Sequence, residues 1–183
     1  MTSVARAVFL DRDGVLNRAI VRDGKPYPPA SLDELEIVEG AAGSLERLKR
    51  LGFLLLVVTN QPDVSRGTQS IEAIQEMHES MRQTLPLDDF LVCPHDDRDA
   101  CQCRKPMPGL FLEAQARYNI DLAGSFMVGD RWRDIDAGRA AGCRTVWIDR
   151  QYRERGPALA PDATAASLVD AVDWIVRTSE RNP

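Results

Sequence analysis

Asp11 and Asp13 stand two positions apart in Phe9-Leu10-Asp11-Arg12-Asp13-Gly14-Val15, directly after an apolar run. Two carboxylates this close repel unless a cation sits between them or one holds a proton. The pair therefore points to Mg²⁺ chemistry with an acid–base partner, although an Asx-rich turn uses the same residue types. Thr59-Asn60-Gln61 offers a hydroxyl and exposed backbone N–H groups of the kind that hold phosphate oxygens. Arg104-Lys105-Pro106 sets two cations ahead of a helix start. Val128-Gly129-Asp130-Arg131-Trp132-Arg133-Asp134 adds two carboxylates suited to a metal shell or its support, and Asp134 equally suits a helix N-cap. Alone, each cluster has a bland explanation as a turn, a solvated charge or a cap. The four in this order are specific.

A second chemistry lies in Cys93, His95, Cys101 and Cys103, four soft ligands within eleven residues. In a reducing compartment such a cluster favours a metal over disulfides. Four protein ligands leave no open position, so the expected Zn²⁺ is structural. Its last ligand directly precedes Arg104 and Lys105. A zinc-stapled loop at 93–103 would fix the backbone that aims those cations.

The elements that must carry these groups alternate. Ala5–Leu10, Phe53–Val58, Phe90–Cys93, Phe126–Val128 and Thr145–Ile148 read as buried strands. Between them, Ala41, Leu45 and Leu48 mark a helix ended by Gly52, and Ser70 caps a helix bearing Ile71, Ile74, Met81 and Leu85. Pro108 suits the first turn of a third helix, Ile135–Ala141 forms a fourth, and a last one spans 164–178. This pattern predicts an α/β fold with a doubly wound parallel sheet, one domain over 1–183, and no separate cap domain. Three of the four clusters then emerge at carboxyl ends of strands, where open parallel sheets bind ligands. The stretch Asn17–Glu39 has no clean period and is expected to be a functional loop. His78 lies on the apolar stripe of its helix and reads as packed; Cys143 reads as a small hydrophobe. Trp132 suits either stacking on a sugar or packing on the loop, and Arg150, Arg153 and Arg155 read as solvated surface.

The chain has 183 residues and a net charge of −5, which argues against a nucleic-acid or anionic-membrane binder. Its longest unbroken apolar run, Phe53–Val58, is far short of a membrane span, and Arg6 and Asp11 interrupt the only candidate signal region. A soluble cytoplasmic monomer is expected, with a small phosphorylated substrate and neither nucleic acid nor membrane as partner.

The set Asp-x-Asp, Thr, Lys and Gly-Asp-x-x-x-Asp resembles the haloacid dehalogenase (HAD) superfamily of phosphatases over nearly the whole chain to about Arg150. The resemblance implies a Rossmann-like core and a required Mg²⁺. It makes Asp11 the nucleophile that forms an aspartyl-phosphate and Asp13 the general acid–base. Thr59 and Lys105 would hold the phosphoryl group, and Asp11, Asp130 and the Asp13 backbone carbonyl would ligate Mg²⁺. The zinc loop ending Cys-x-Cys-Arg-Lys-Pro is similar to a subfamily of heptose bisphosphate and histidinol-phosphate phosphatases. Thr59-Asn60-Gln61 with Arg66-Gly67, and Lys105-Pro106-x-Pro108-Gly109, favour the heptose type, with loss of the C7 phosphate of D-glycero-D-manno-heptose 1,7-bisphosphate. The five-residue gap between His95 and Cys101 favours histidinol phosphate. On this resemblance Asn60, Gln61, Arg104 and Arg131 would contact substrate, Arg104 at a remote phosphate. A phospho-acceptor signalling module is the alternative from another class, but it leaves the zinc loop and the Arg-Lys pair unexplained.

Overall fold

The computed structural model describes residues 4–181; Met1–Ser3 and Asn182–Pro183, at the ends of the expected domain, lie outside it. Strands β1 (Ala7–Leu10), β4 (Leu54–Asn60), β5 (Asp89–Cys93), β6 (Phe126–Gly129), β7 (Arg144–Ile148) and β8 (Ala163–Ala165) form one sheet in the order β5-β4-β1-β6-β7-β8. Every neighbouring pair is parallel. Strands β2 (Ile20–Arg22) and β3 (Lys25–Tyr27) form a separate antiparallel hairpin.

The side-chain alternation of the strands builds two cores. Val8, Leu10, Leu55, Val57 and Val128 face α1 (Ala41–Arg50) and α5 (Leu168–Arg181), through Leu45, Leu48, Val172 and Ile175. Met81 of α2 (Ile71–Thr84) joins the same side. Ala7, Phe9, Leu56, Val58 and Met127 face α3 (Gly109–Tyr118) and α4 (Trp132–Ala141), through Leu110, Phe111 and Ala137. Burial on both faces explains the continuous apolar runs. From β1 the chain moves outward to β4 and β5, then returns to the other side for β6, β7 and β8. The carboxyl end of β1 thus lies at the reversal of strand order, where α/β sheets open a crevice.

Several expectations shift. The first strand begins at Ala7, with Ala5 held in an isolated bridge to Ile120. Thr59 and Asn60 belong to β4 and pair with Val92 and Cys93, so they are not a turn after it. The last helix starts at Leu168, because 163–165 pairs with β7 as an edge strand. Asn17–Glu39 contains the β2–β3 hairpin, turned at Asp23 and Gly24 with φ of 51° and 75°. Ser70 caps α2 as expected, its Oγ accepting from the Ala73 N–H at 3.1 Å. Among the described residues no helix is long and apolar enough to cross a membrane.

Candidate active site

Asp11 follows β1 directly, and Asp130 follows β6. Asp134 sits in the first turn of α4, where its Oδ2 accepts the Arg131 N–H at 3.0 Å. The N-cap position expected for Asp134 is instead held by Arg131; Asp134, three residues on, returns its side chain to the Arg131 N–H, and its other oxygen pairs with Lys105. Asp11, Asp130 and Asp134 are all buried, with carboxylate oxygens lying within 4.8 Å of one another. Gly129 permits this approach, since a Cβ there would lie 2.1 Å from the Cβ of Asp134.

Lys105 is the cation among them. Its Nζ donates to Asp11 Oδ1 at 2.7 Å and to the Val58 carbonyl at 2.7 Å, and it pairs with Asp134 Oδ1 at 2.6 Å. Burial opposes its charge, but Asp11 and Asp134 overcome that and hold the ammonium above its ordinary range. With all three buried carboxylates ionised, one ammonium would leave two negative charges in excess. Burial, then the charge of Asp134, push Asp11 up to about 7, and burial with the charge of Asp11 raises Asp130 as well. Asp130 Oδ1 is buried without a hydrogen-bond partner. A hard, all-oxygen donor set, carboxylates that resist ionising without a cation, and a bare oxygen fit a divalent cation such as Mg²⁺.

Asp13 has a different environment. Arg12, fully buried, forks its carboxylate at 3.1 Å on each oxygen; Gln61 Nε2 donates at 2.9 Å and Asn17 Nδ2 at 3.1 Å. Arg12 Nη1 also donates to His78 Nε2 at 3.2 Å, and His78 stacks on Phe90 at 4.2 Å between ring centroids. The sequence marked neither Arg12 nor this chain of contacts. Its only trace is an arginine set between the two aspartates that follow the apolar strand.

Asp11, Asp13, Asn60, Arg104, Lys105 and Arg131 line one cavity of about 310 Å³. Asn60 clasps the Lys105 backbone, donating to its carbonyl at 3.0 Å and accepting from its N–H at 3.0 Å. Thr59 and Gln61 are buried and do not line the cavity. Gln61 Nε2 bridges Thr59 Oγ1, at 2.8 Å, to Asp13. The Gln61 Nε2 is thus committed to Asp13 and Thr59, while its Oε1 is buried without a hydrogen-bond partner. Arg104 donates to Asp97 Oδ1 at 2.8 Å, and Arg133 pairs with the same oxygen at 3.1 Å. Two guanidiniums share one carboxylate. Arg66 and the hairpin residues Lys25 and Tyr27 complete the wall, so part of Asn17–Glu39 does face the site.

The segment 149–156 overturns the solvated-surface expectation for Arg150. Its guanidinium donates twice to the Gly14 carbonyl, at 2.9 and 3.2 Å. Tyr152 Oη donates to Asp130 Oδ2 at 2.8 Å; burial and the charge of Asp130 hold this hydroxyl upward, so it keeps its proton. Glu154 forks Arg131, with Nε at 3.0 Å from Oε2 and Nη2 on Oε1. Arg155 is exposed, as expected, but its guanidinium lies 3.5 Å from the Trp132 ring centroid and that of Arg133 lies 4.6 Å from it, so the Trp132 ring carries guanidiniums from the 149–156 segment and from its own helix.

Cys93, His95, Cys101 and Cys103 gather at the end of β5 and ahead of α3, with no disulfide among them. Five of their ligand-atom separations run from 3.1 to 3.7 Å. A tetrahedral zinc with ordinary bond lengths has ligand–ligand edges of roughly 3.5–3.8 Å, so the four atoms surround a space close to that size. Burial pushes the Cys93 thiol upward, a cost that a metal taking the thiolate removes.

An α/β chain whose strand-end carboxylates converge on a buried lysine is built for metal-assisted transfer at an anionic group. The HAD-hydrolase-like family model matches residues 102–172. D-glycero-β-D-manno-heptose-1,7-bisphosphate 7-phosphatase of Escherichia coli is 34% identical over 97% of this chain and 92% of its own length. The enzyme of the same name from Haemophilus ducreyi is 36% identical over 93% and 98%. The crystal structure of D,D-heptose 1,7-bisphosphate phosphatase from B. bronchiseptica, complexed with magnesium and phosphate, matches with a TM-score of 0.83. It is 28% identical and covers 94% of this chain and 99% of that one. The chain belongs to the HAD-like hydrolases, and among them it is a phosphatase.

Proposed function

We propose that this protein is a Mg²⁺-dependent phosphomonoesterase that removes the C7 phosphate of D-glycero-D-manno-heptose 1,7-bisphosphate. The observation that carries the substrate is the Arg104–Asp97–Arg133 corner. One carboxylate there cannot neutralise two guanidiniums, and the same cavity holds Asp11 and Lys105. A substrate with two phosphates suits such a cavity. The names of the relatives support the same substrate.

In this reading Asp11 attacks phosphorus, the bond to the C7 oxygen breaks, and Asp13 gives that oxygen its proton. Asp13 then takes a proton from water as the water attacks the aspartyl-phosphate, releasing inorganic phosphate and restoring Asp11. Arg12, Gln61 and Asn17 orient Asp13 for both transfers. Lys105 stabilises charge on the equatorial oxygens, with Thr59 as the expected hydroxyl partner and Asn60 fixing the Lys105 backbone. Asp11, Asp130 and Asp134 are the carboxylates that would hold Mg²⁺, the Asp13 carbonyl being a further ligand on the family resemblance; the ion supplies charge neutralisation at the phosphoryl group. Cys93, His95, Cys101 and Cys103 would hold a structural Zn²⁺ that keeps Arg104 and Lys105 in place. Arg131, forked by Glu154, would reach substrate from the opposite loop.

The test is phosphate release from the heptose bisphosphate, the heptose 7-monophosphate and histidinol phosphate. Charge-assisted hydrogen bonds from Arg104 to a remote phosphate contribute about 1.5–3 kcal/mol. The bisphosphate should therefore lead the monophosphate by roughly ten- to over a hundredfold in kcat/KM, and Arg104→Ala should narrow that lead. A kcat/KM for histidinol phosphate at or above that of the bisphosphate overturns the substrate assignment.

A further inference from the structure

We infer that Tyr152 is a positioning residue for the metal-binding carboxylate Asp130, fixing which of its oxygens is offered to the cation. The inference rests on the Mg²⁺ reading above and goes beyond it to a residue some twenty positions downstream. Asp130 has two inequivalent oxygens: Oδ2 accepts the Tyr152 hydroxyl at 2.8 Å, while Oδ1 is buried with no partner. A carboxylate whose one oxygen is capped presents the other as a single-atom ligand in a set direction. The Asp130 backbone is fixed too, its carbonyl accepting the Trp147 Nε1–H at 3.2 Å.

The surroundings are shaped to admit this contact. Gly14 has a φ of 88°, and a Cβ there would lie 1.8 Å from Asp130 Oδ2 and 3.0 Å from the Tyr152 hydroxyl. A side chain at that position would expel the pair. Arg150 binds the Gly14 carbonyl from the same arm that carries Tyr152, and the Arg153 N–H donates to the Gly24 carbonyl at 2.8 Å. The arm is therefore tied to the nucleophile loop on one side and to the hairpin on the other. Tyr152 holds one metal ligand while its neighbours hold the loop that bears another.

The test compares the wild-type protein with Tyr152→Phe and Asp130→Asn, using Mn²⁺ as the probe and electron paramagnetic resonance to count free ion. Tyr152→Phe keeps the ring and removes only the hydroxyl. Loss of an outer hydrogen bond to a metal ligand typically weakens affinity by about 10- to 100-fold, and a fall of that order is expected. The melting temperature should stay unchanged, and kcat at saturating Mg²⁺ should recover most of the wild-type value. An unchanged Mn²⁺ affinity overturns the inference. So does an affinity that falls only together with the melting temperature. If the wild-type protein binds no Mn²⁺ that Asp130→Asn removes, the metal reading itself fails, and the inference with it.

Discussion

Acidification of His78 gives the most quantitative check on the buried chain behind Asp13. Burial, then the charge of Arg12, bring the His78 imidazole from its ordinary 6.5 down to about 3. The native protein therefore holds it neutral, whereas the unfolded chain takes up a proton near pH 6.5. Its contribution to stability is complete above pH 6.5 and is lost as the pH falls toward 3. At pH 5 the loss from this one group is roughly 2 kcal/mol by linkage. For a chain of this length that corresponds to about 4–8 °C in melting temperature. Asp11 and Asp130 are raised and act with the opposite sign, so the raw profile is a sum. The comparison with His78→Gln isolates the imidazole, because glutamine accepts the Arg12 N–H and does not titrate. Melting curves from pH 8 to pH 5 should show the wild type losing that additional amount relative to the variant. The variant starts lower at pH 8, having lost the stacking on Phe90, but its slope should be flatter. Parallel curves, or an imidazole that titrates near 6.5 in the folded protein by NMR, refute the argument.

Two further outcomes test the chemistry. Asp11→Asn should abolish turnover without lowering the melting temperature in Mg²⁺-free buffer, because it removes one of three mutually repelling buried carboxylates; retained Mg²⁺-dependent activity would exclude the covalent route. Cys103→Ser should lower zinc from about one per chain on the closed four-ligand reading, and should reduce activity more than stability, since the sheet core does not depend on the loop; metal analysis beside calorimetry decides it.

The parts of this molecule that could be read in advance are those written in short range. Phe53–Val58 and Phe126–Val128 announce central strands because a doubly covered sheet needs unbroken apolar runs. Asp11, Lys105, Asp130 and the Cys/His cluster announce chemistry because their types and spacing are costly without a purpose. Asp23-Gly24 is also a short-range signal, a hairpin turn of the usual kind, but the prolines around it obscure the two strands it joins. Ala163–Ala165 was invisible for a different reason: three small residues at a sheet edge carry no period and draw their order from β7. Arg12, Tyr152 and Glu154 could not be found from spacing. Each acts through a partner that only the fold brings near, and a tyrosine in a polar segment has no local mark of a metal-site role.

Lys105 shows how those long-range partners constrain one another. An ammonium has three N–H donors, and here Asp11, Val58 and Asp134 take all three. Its backbone is clasped by Asn60 and follows two residues after the last thiol of the Cys/His cluster. A side chain held this fully cannot search for substrate; a phosphoryl oxygen must displace one of its carboxylate bonds. The Val58 carbonyl is part of the sheet and does not move, so the exchangeable partners are Asp11 and Asp134. Both belong to the cluster that has negative charge in excess, so surrendering a bond to Lys105 there costs more unless that excess is neutralised. The lysine and the acidic cluster are therefore coupled: whatever relieves the carboxylates also frees the ammonium to bind the phosphoryl group.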